Sequence, residues 1–199
     1  MKSNICKIEN GTKDLAAILN ESDRVAEYNR LTYKQTLQLR LLCEEIDGLL
    51  PNIIGEFEGN FWIEAEEGVC KIHVSIKIPE LNTEKKEALI GNAKNKKNAA
   101  AVGIVGKIRN AIENFFLNEG TALDFETSSG GLRLATGYSE GVDYTYLWSL
   151  EQYRISVKKE DRPEAWDELE KSVIASVADD VIVGVKGHQA DITIVKKFA

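Results

Sequence analysis

Two stretches of alternating apolar and polar residues constrain the fold of this chain most strongly. The first, EFEGNFWIEAEEGVCKIHVSIKI at 56–78, has one such run on each side of a Glu-Gly pair. The second joins DVIVGV at 180–185 to QADITIVKK at 189–197 through a Lys-Gly-His connection. Because side chains alternate between the two faces of a strand, each run buries one face, and short glycine-containing connections are typical of hairpins. Both stretches predict β-hairpins, and SNICKIE at 3–9 predicts a further strand.

Helical periodicity is the second pattern. Apolar residues recur at helical spacing over 13–28, over 33–50 and over 163–178, where a proline suits the first turn. Thr32 is a good N-cap for the second of these helices. Pro51 predicts that this helix ends or kinks there, because proline lacks the backbone N–H.

The remaining stretches are less regular. Residues 82–98 are polar and lysine-rich, and 143–157 are β-like. Residues 99–117 predict an apolar helix that contains Gly103 and Gly106. Each glycine costs about 1 kcal/mol relative to alanine inside a helix, so close packing or a ligand against the backbone is the expected reason for both.

The mixture of strands and helices predicts the fold class. Hairpins dominate over regular βαβ alternation, and this favours an α+β fold. We expect a two-layer sandwich with helices on one face of a mixed, mostly antiparallel sheet. No internal repeat or domain linker is visible, so residues 1–199 are predicted to form a single domain.

Composition excludes several classes of function. The net charge of −7 gives no basic footprint for nucleic acid. No apolar run is long enough to span a membrane, and the N-terminal sequence becomes polar too early for a signal peptide. Three cysteines, Cys6, Cys43 and Cys70, lie far apart without metal-ligand or disulfide spacing. They predict buried thiols in a cytoplasmic protein.

The segment LRLLCEEIDGLL at 39–50 contains the strongest candidate for a chemical role. At 100° per residue its apolar side chains form one stripe, and Glu44 lies well away from that stripe. Glu45 lies at the edge, beside Leu42 and Leu49. Partial desolvation there can raise the pKa of a carboxyl and suit it to general-base work. The alternative is a glutamate whose carboxylate reaches water at the rim of the stripe.

The order of elements resembles that of the GHKL ATPase superfamily, which includes histidine-kinase catalytic domains and anti-sigma-factor serine kinases. LRLLCEE is similar to the first conserved box of the anti-sigma kinases, and NAAAVGIVGKIRN at 98–110 is similar to the lid-plus-glycine box. The resemblance covers roughly 3–117 and 180–197. It implies a sandwich of the histidine-kinase-like ATPase type, with an insertion at about 118–179.

The resemblance also implies a nucleotide site made by Glu45, Leu49, Asn98, Gly103 and Gly106, with ATP or ADP and Mg²⁺ as cofactors. Glu45 would be the catalytic residue that orients the attacking group. If Glu45 is the counterpart of the family glutamate, Leu49 stands where the family has its metal-binding asparagine, and if Glu44 is, Gly48 stands there. Backbone N–H groups of the glycine box would hold the phosphates.

Departures from the family pattern determine the predicted function. A leucine side chain cannot coordinate Mg²⁺, and no Asp-x-Gly follows the first hairpin. We therefore expect a regulatory protein with weak or lost nucleotide binding. It would act through protein contacts, with a sigma-factor-like or anti-anti-sigma-like partner implied by the resemblance. The alternatives are an active ATP-binding serine kinase or ATPase that uses Glu45, and a small-molecule binding module.

The aromatic residues of the 118–179 segment have two interpretations. Tyrosine and tryptophan are enriched at protein interfaces, so this segment could supply a contact surface. The alternative is that the same aromatic side chains belong to the core of an enlarged sheet. The set is Tyr138, Tyr144, Tyr146, Trp148, Tyr153 and Trp166.

Overall fold

The computed structural model describes residues 1–9, 15–54, 57–77, 104, 106–109, 112, 146–186 and 188–198. The six strands formed by these residues make one sheet in the order β1-β2-β3-β6-β5-β4, and every pairing among them is antiparallel. The strands are β1 (Cys6–Glu9), β2 (Glu58–Glu66), β3 (Val69–Lys77), β4 (Tyr146–Ser149), β5 (Asp180–Lys186) and β6 (Gln189–Lys197).

Five helices accompany the sheet in the described part of the chain: α1 (Leu15–Tyr28), α2 (Tyr33–Ile54), α3 (Leu150–Lys159), α4 (Pro163–Lys171) and α5 (Val173–Val177). The described residues 104, 106–109 and 112 are helical as well. None of the helices formed by described residues combines the length and the apolar character that a membrane crossing requires.

One hydrophobic core joins the helices to one face of the sheet. Along β2 and β3, every second residue is buried, and the residues between them are half-buried or exposed. The strands contribute Phe61, Ile63, Ile72, Val74, Ile192 and Ile194, and the helices contribute Ile18, Val25, Leu39, Leu42, Ile46 and Leu50. The predicted two-layer α+β fold is confirmed, and the sheet is entirely antiparallel among the described strands rather than mixed.

Both predicted hairpins are present. Strands β2 and β3 pair over nine positions, with Phe61 opposite Val74, and β5 pairs with β6, with Val183 opposite Ile192. The long pairing of β3 with β6 then joins the two hairpins at the centre of the sheet. In β2 and β3 one face is buried, as the alternating pattern predicts for this hairpin.

Helix α2 continues past Pro51, where we expected it to end or kink. Thr32 caps its N-terminus as predicted: its Oγ1 accepts from the Gln35 N–H, and its own N–H donates to the Gln35 side chain. Pro51 lies in the last turn of the helix, so the missing N–H removes a single backbone hydrogen bond near the end. The Asn52 side chain donates to the Gly48 carbonyl in the same turn.

The β-like interpretation of 143–157 is wrong for its second half. Strand β4 ends at Ser149, whose side chain accepts from the Gln152 N–H and begins α3. Leu150, Tyr153 and Val157 recur at helical spacing and are buried. The predicted helix over 163–178 is divided into α4 and α5 at Ser172, which caps α5.

Residues 146–179 belong to the same sheet and core as the first half of the chain. Strand β4 pairs with β5, and Trp148 and Tyr153 are buried in the common core. Trp166 is 40% exposed. The contact-surface interpretation therefore fits Trp166, and the core interpretation fits the other two. Residues 118–145 of the predicted insertion lie outside the described residues.

Candidate functional site

Glu45 lies where the periodicity of α2 places it. Its residue is half-buried at the border of the apolar side of the helix, whereas Glu44 is exposed. Leu42 and Ile46 on the inner side are fully buried. This position is compatible with a carboxylate at the rim of a cleft and equally with one that reaches water.

The predicted metal position holds no donor. Leu49 is partly buried and packs against the hydrophobic core. Asn52, one turn further along, is exposed and donates its side-chain amide to the Gly48 carbonyl at 3.5 Å. Among the described residues, no group of three or more His, Cys, Asp or Glu side chains could hold a metal ion. The donor set around α2 therefore does not fit a Mg²⁺ site of the family type.

The structure describes only part of the lid-plus-glycine box at 98–110, which was predicted to hold the phosphates. Gly106 is helical and buried, and Ile104, Ile108 and Ile112 enter the core that α2 also contacts. Asn98 and Gly103 lie outside the described residues. The burial of Gly106 agrees with close packing, which was one of the two reasons expected for a glycine there.

The side of α2 opposite the core carries apolar residues that face solvent. Tyr33 is 80% exposed, Leu37 46% and Leu41 36%. They follow one another at four-residue spacing, so they lie along one line on the helix surface. We call this line, together with the exposed Lys34 and Glu44 beside it, the outer stripe. The prediction for α2 covered only its buried side, although the regular spacing of Tyr33, Leu37 and Leu41 in the chain is a signal for this line.

A second cluster lies on the face of the sheet that points away from the core. The rings of Trp62 and His73, on adjacent positions of β2 and β3, are stacked with their centroids 4.9 Å apart. Glu64 accepts from Trp62 Nε1 at 3.0 Å and pairs with Lys2 at 3.0 Å. His73 Nδ1 lies 3.1 Å from Thr193 Oγ1 on β6. We call these five residues the sheet-face cluster.

Within the sheet-face cluster, burial and the neighbouring charged groups shift the pKa values of His73 and Glu64 in opposite directions. Burial lowers the pKa of His73, although the Glu64 carboxylate 3.6 Å from its Nε2 acts in the other direction. Burial would raise the pKa of Glu64, but hydrogen bonds from Lys2 and Trp62 and the charges nearby hold it below its usual value. The favoured state is a neutral imidazole beside an ionised carboxylate that is already paired with lysine.

A cavity of about 590 Å³ borders this cluster at the end of β2 and β3. Lys2, Lys71 and Glu64 line it together with Glu66 and Glu67, so charges of both signs are present. These groups are three carboxylates and two lysines, of which Lys2 is already paired with Glu64. The cavity therefore presents no concentrated charge of one sign to a ligand.

Two of the three thiols are poor nucleophiles, and Cys6, which was also predicted to be buried, is only half-buried. Cys43 and Cys70 are buried as predicted, and burial raises the pKa of both, to about 11 for Cys70. The reactive species of cysteine is the thiolate, which these environments disfavour. Both side chains act as small apolar residues of the core.

Comparisons with protein-family models, with curated proteins and with solved structures each gave no match, so the arrangement of the residues themselves carries the functional argument.

Proposed function

We propose that this chain is a regulatory protein that acts through protein–protein contacts, with nucleotide binding weak or lost. The observation that carries the proposal is the outer stripe of α2. Exposure of the Leu37 and Leu41 side chains to water is unfavourable in free energy. Apolar side chains at i and i+4 are the pattern by which helices dock on other proteins. The stripe lies on the helix whose inner side is anchored in the core, so a partner would meet a rigid surface.

The resemblance to histidine-kinase-like ATPase domains supports the same proposal in its finer form. A degenerate member of that superfamily would keep the two-layer scaffold and lose metal-dependent turnover. The partly buried Leu49 at the metal position supports such a loss, because its side chain has no donor atom. A sigma-factor-like or anti-anti-sigma-like protein is the partner class that the resemblance implies.

Thermal unfolding with and without ATP or ADP and Mg²⁺ tests the nucleotide part of the proposal. A nucleotide at about 100 times its Kd stabilises a native protein by roughly 2.7 kcal/mol. For a chain of this size, that raises Tm by several degrees. We expect no Mg²⁺-dependent shift at millimolar nucleotide, and a shift of several degrees would contradict weak or lost binding.

Site-specific photo-cross-linking in cells tests the contact part. A photoreactive amino acid at position 41 lies within the outer stripe, and the same amino acid at the exposed position 158 on α3 is the matched control. We expect cross-links to protein from position 41 that the control does not give. Equal and low cross-linking from both positions would count against contacts through this surface.

A second candidate function, that of an ATP-dependent serine kinase or ATPase, depends on Glu45, whose half-buried position at the border of the apolar side of α2 is one that a general base can occupy. In that case Glu45 would orient the attacking group, and Glu45→Gln would abolish turnover while Tm stays close to that of the parent protein. Turnover that the variant retains would remove Glu45 from the mechanism.

A further inference from the structure

The exposed positions of α2 follow the spacing of a coiled-coil seam. Lys34, Leu37, Leu41 and Glu44 are separated by three, four and three residues, and all four are exposed. Alternating steps of three and four place side chains along one line of a helix surface, as the a and d positions of a heptad do. The pattern along this line is cation, leucine, leucine, anion.

We propose that two copies of this chain associate through their α2 helices in antiparallel orientation. In an antiparallel pair centred at the level of position 39, Leu37 of one copy lies against Leu41 of the second copy. The same alignment brings Lys34 against Glu44 of the second copy, and the two-fold axis repeats both contacts. This inference deepens the proposed function, because it names the occupant of the outer stripe.

Charge complementarity favours a second copy over an unrelated partner. Read in the opposite direction, the pattern becomes anion, leucine, leucine, cation, so the stripe is its own complement only in the antiparallel orientation. A parallel pair would place Lys34 against Lys34 and Glu44 against Glu44, which costs free energy. Arg40, the cation one turn before Glu44, forms an ion pair with Asp23 and also interacts electrostatically with Glu44, its neighbour on the same helix.

The size of the contact sets the expected strength. Two leucines from each copy and two ion pairs in all make a small interface compared with the roughly 1,600 Å² of a stable complex. Tyr33 extends the line at one end and is 80% exposed. We therefore expect a weak dimer that forms with rising protein concentration and weakens at high salt, because exposed ion pairs are screened.

Sedimentation velocity over micromolar to near-millimolar protein tests the proposal with charge reversals. Lys34→Glu and Glu44→Lys each place like charges at both ends of the seam, and we expect each to raise the dimer Kd about tenfold. The double variant re-creates the complementary pattern in reverse, and its Kd should return to within about twofold of the parent value. Lys158→Glu on α3 is the matched control and should leave the Kd unchanged.

Two results would overturn the inference: a parent protein that stays monomeric over the whole range, or a double variant as weak as the single ones. All four positions are exposed, so circular dichroism and Tm should show that every variant folds like the parent. A monomeric protein that still cross-links to other proteins from position 41 would reject the second copy and retain the proposed function. A monomeric protein that gives no cross-link from position 41 would reject both.

Discussion

Arg154 reaches from α3 to the carbonyl end of α5 and to the start of β5. Its guanidinium donates to the Asp179 carbonyl at 2.9 Å, to the Ala178 carbonyl at 3.3 Å and to the Ala175 carbonyl. A short helix such as α5 leaves its last carbonyls without intrahelical partners. Arg154 satisfies them because its planar group carries several donors in a fixed geometry.

Arg154→Met is expected to destabilise the fold by about 1–3 kcal/mol, because part-buried carbonyls lose their donors while the aliphatic stem is retained. Chemical denaturation measures the change. Lys158→Met on the same helix is the control and should change stability by less than about 0.5 kcal/mol, since that side chain is exposed. Equal effects of the two variants would show that Arg154 is not a structural link.

His73 couples the stability of the sheet to pH. Its pKa is lowered from the ordinary value of about 6.5, chiefly by burial. Glu64 and Asp191 oppose this shift, and Lys71 and Lys2 add to it. The unfolded chain therefore binds a proton more readily than the folded chain, and the folded state is favoured while the imidazole is neutral.

We expect the contribution of His73 to be fully present above a pH of about 6.5 and to be lost as pH falls through its lower folded-state pKa. Denaturation at several values between about pH 7.5 and 5 should show stability falling over this range. His73→Gln should reduce the slope there, because glutamine does not titrate. The contribution of Glu64, whose pKa is also lowered, is lost only below its ordinary 4.5, so the two can be separated. An unchanged slope in the variant would contradict the assignment.

At the scale of elements, the two-residue turn between β2 and β3 shows what a tight hairpin demands. Glu67 has φ 49° and Gly68 has φ 78°. Two positive φ values in a row are typical of the turn whose twist matches that of the flanking strands. Gly68 suits this conformation, but a glutamate at positive φ is strained. A Cβ on Gly68 would also lie 2.9 Å from the Phe198 carbonyl oxygen.

Glu67→Asn should stabilise the protein by several tenths of a kcal/mol, because asparagine tolerates the left-handed region better. Gly68→Ala should destabilise it by about 1 kcal/mol or more, through both the positive φ and the close carbonyl. The shift in Tm measures both. Glu66→Asn, at the exposed end of β2, is the control for the loss of a charge. A stabilising Gly68→Ala would contradict the turn geometry.

At the scale of the whole molecule, the described chain repeats one topology. A short strand, helices and a hairpin occur first as β1, α1, α2, β2 and β3, and again as β4, α3 to α5, β5 and β6. In the sheet, β1-β2-β3 lie on one side of the central boundary, and β6-β5-β4 follow in reversed order on the other side, so that β3 and β6 are central and β1 and β4 are at the edges. No repeat is visible in the sequence, because a two-layer packing needs only the same alternation of apolar residues and not the same residues.

The central position of β3 and β6 predicts the pattern of amide hydrogen exchange. These strands pair over nine positions and hold Ile72 opposite Ile194, both buried. The edge strands β1 and β4 have four residues each. We expect the slowest exchange in β3 and β6 and exchange at least tenfold faster in β1 and β4, since edge elements open locally without global unfolding. Uniform protection across all six strands would contradict this.

Periodicity and turn chemistry in the sequence determined the local elements of this protein. The two hairpins, α1, the cap at Thr32 and the buried side of α2 all follow from patterns that involve neighbours a few residues apart. Two predicted boundaries were displaced: α2 continues past Pro51 to Ile54, because the missing N–H removes only one hydrogen bond in the last turn, and Ser149 ends a strand that composition alone would have continued. The edge position of Glu45 was predictable because it depends on a single helix.

Tertiary structure alone decided which distant residues meet. The stacking of Trp62 on His73 could be anticipated only from the register of a hairpin, and the contact of His73 with Thr193 joins positions 120 residues apart. Exposure of Leu37 and Leu41 likewise depends on which side of α2 the sheet covers. A sequence specifies which residues share a face of one helix or strand. Whether that face is buried depends on the elements that pack against it. The outer stripe and the sheet-face cluster therefore follow from the tertiary packing.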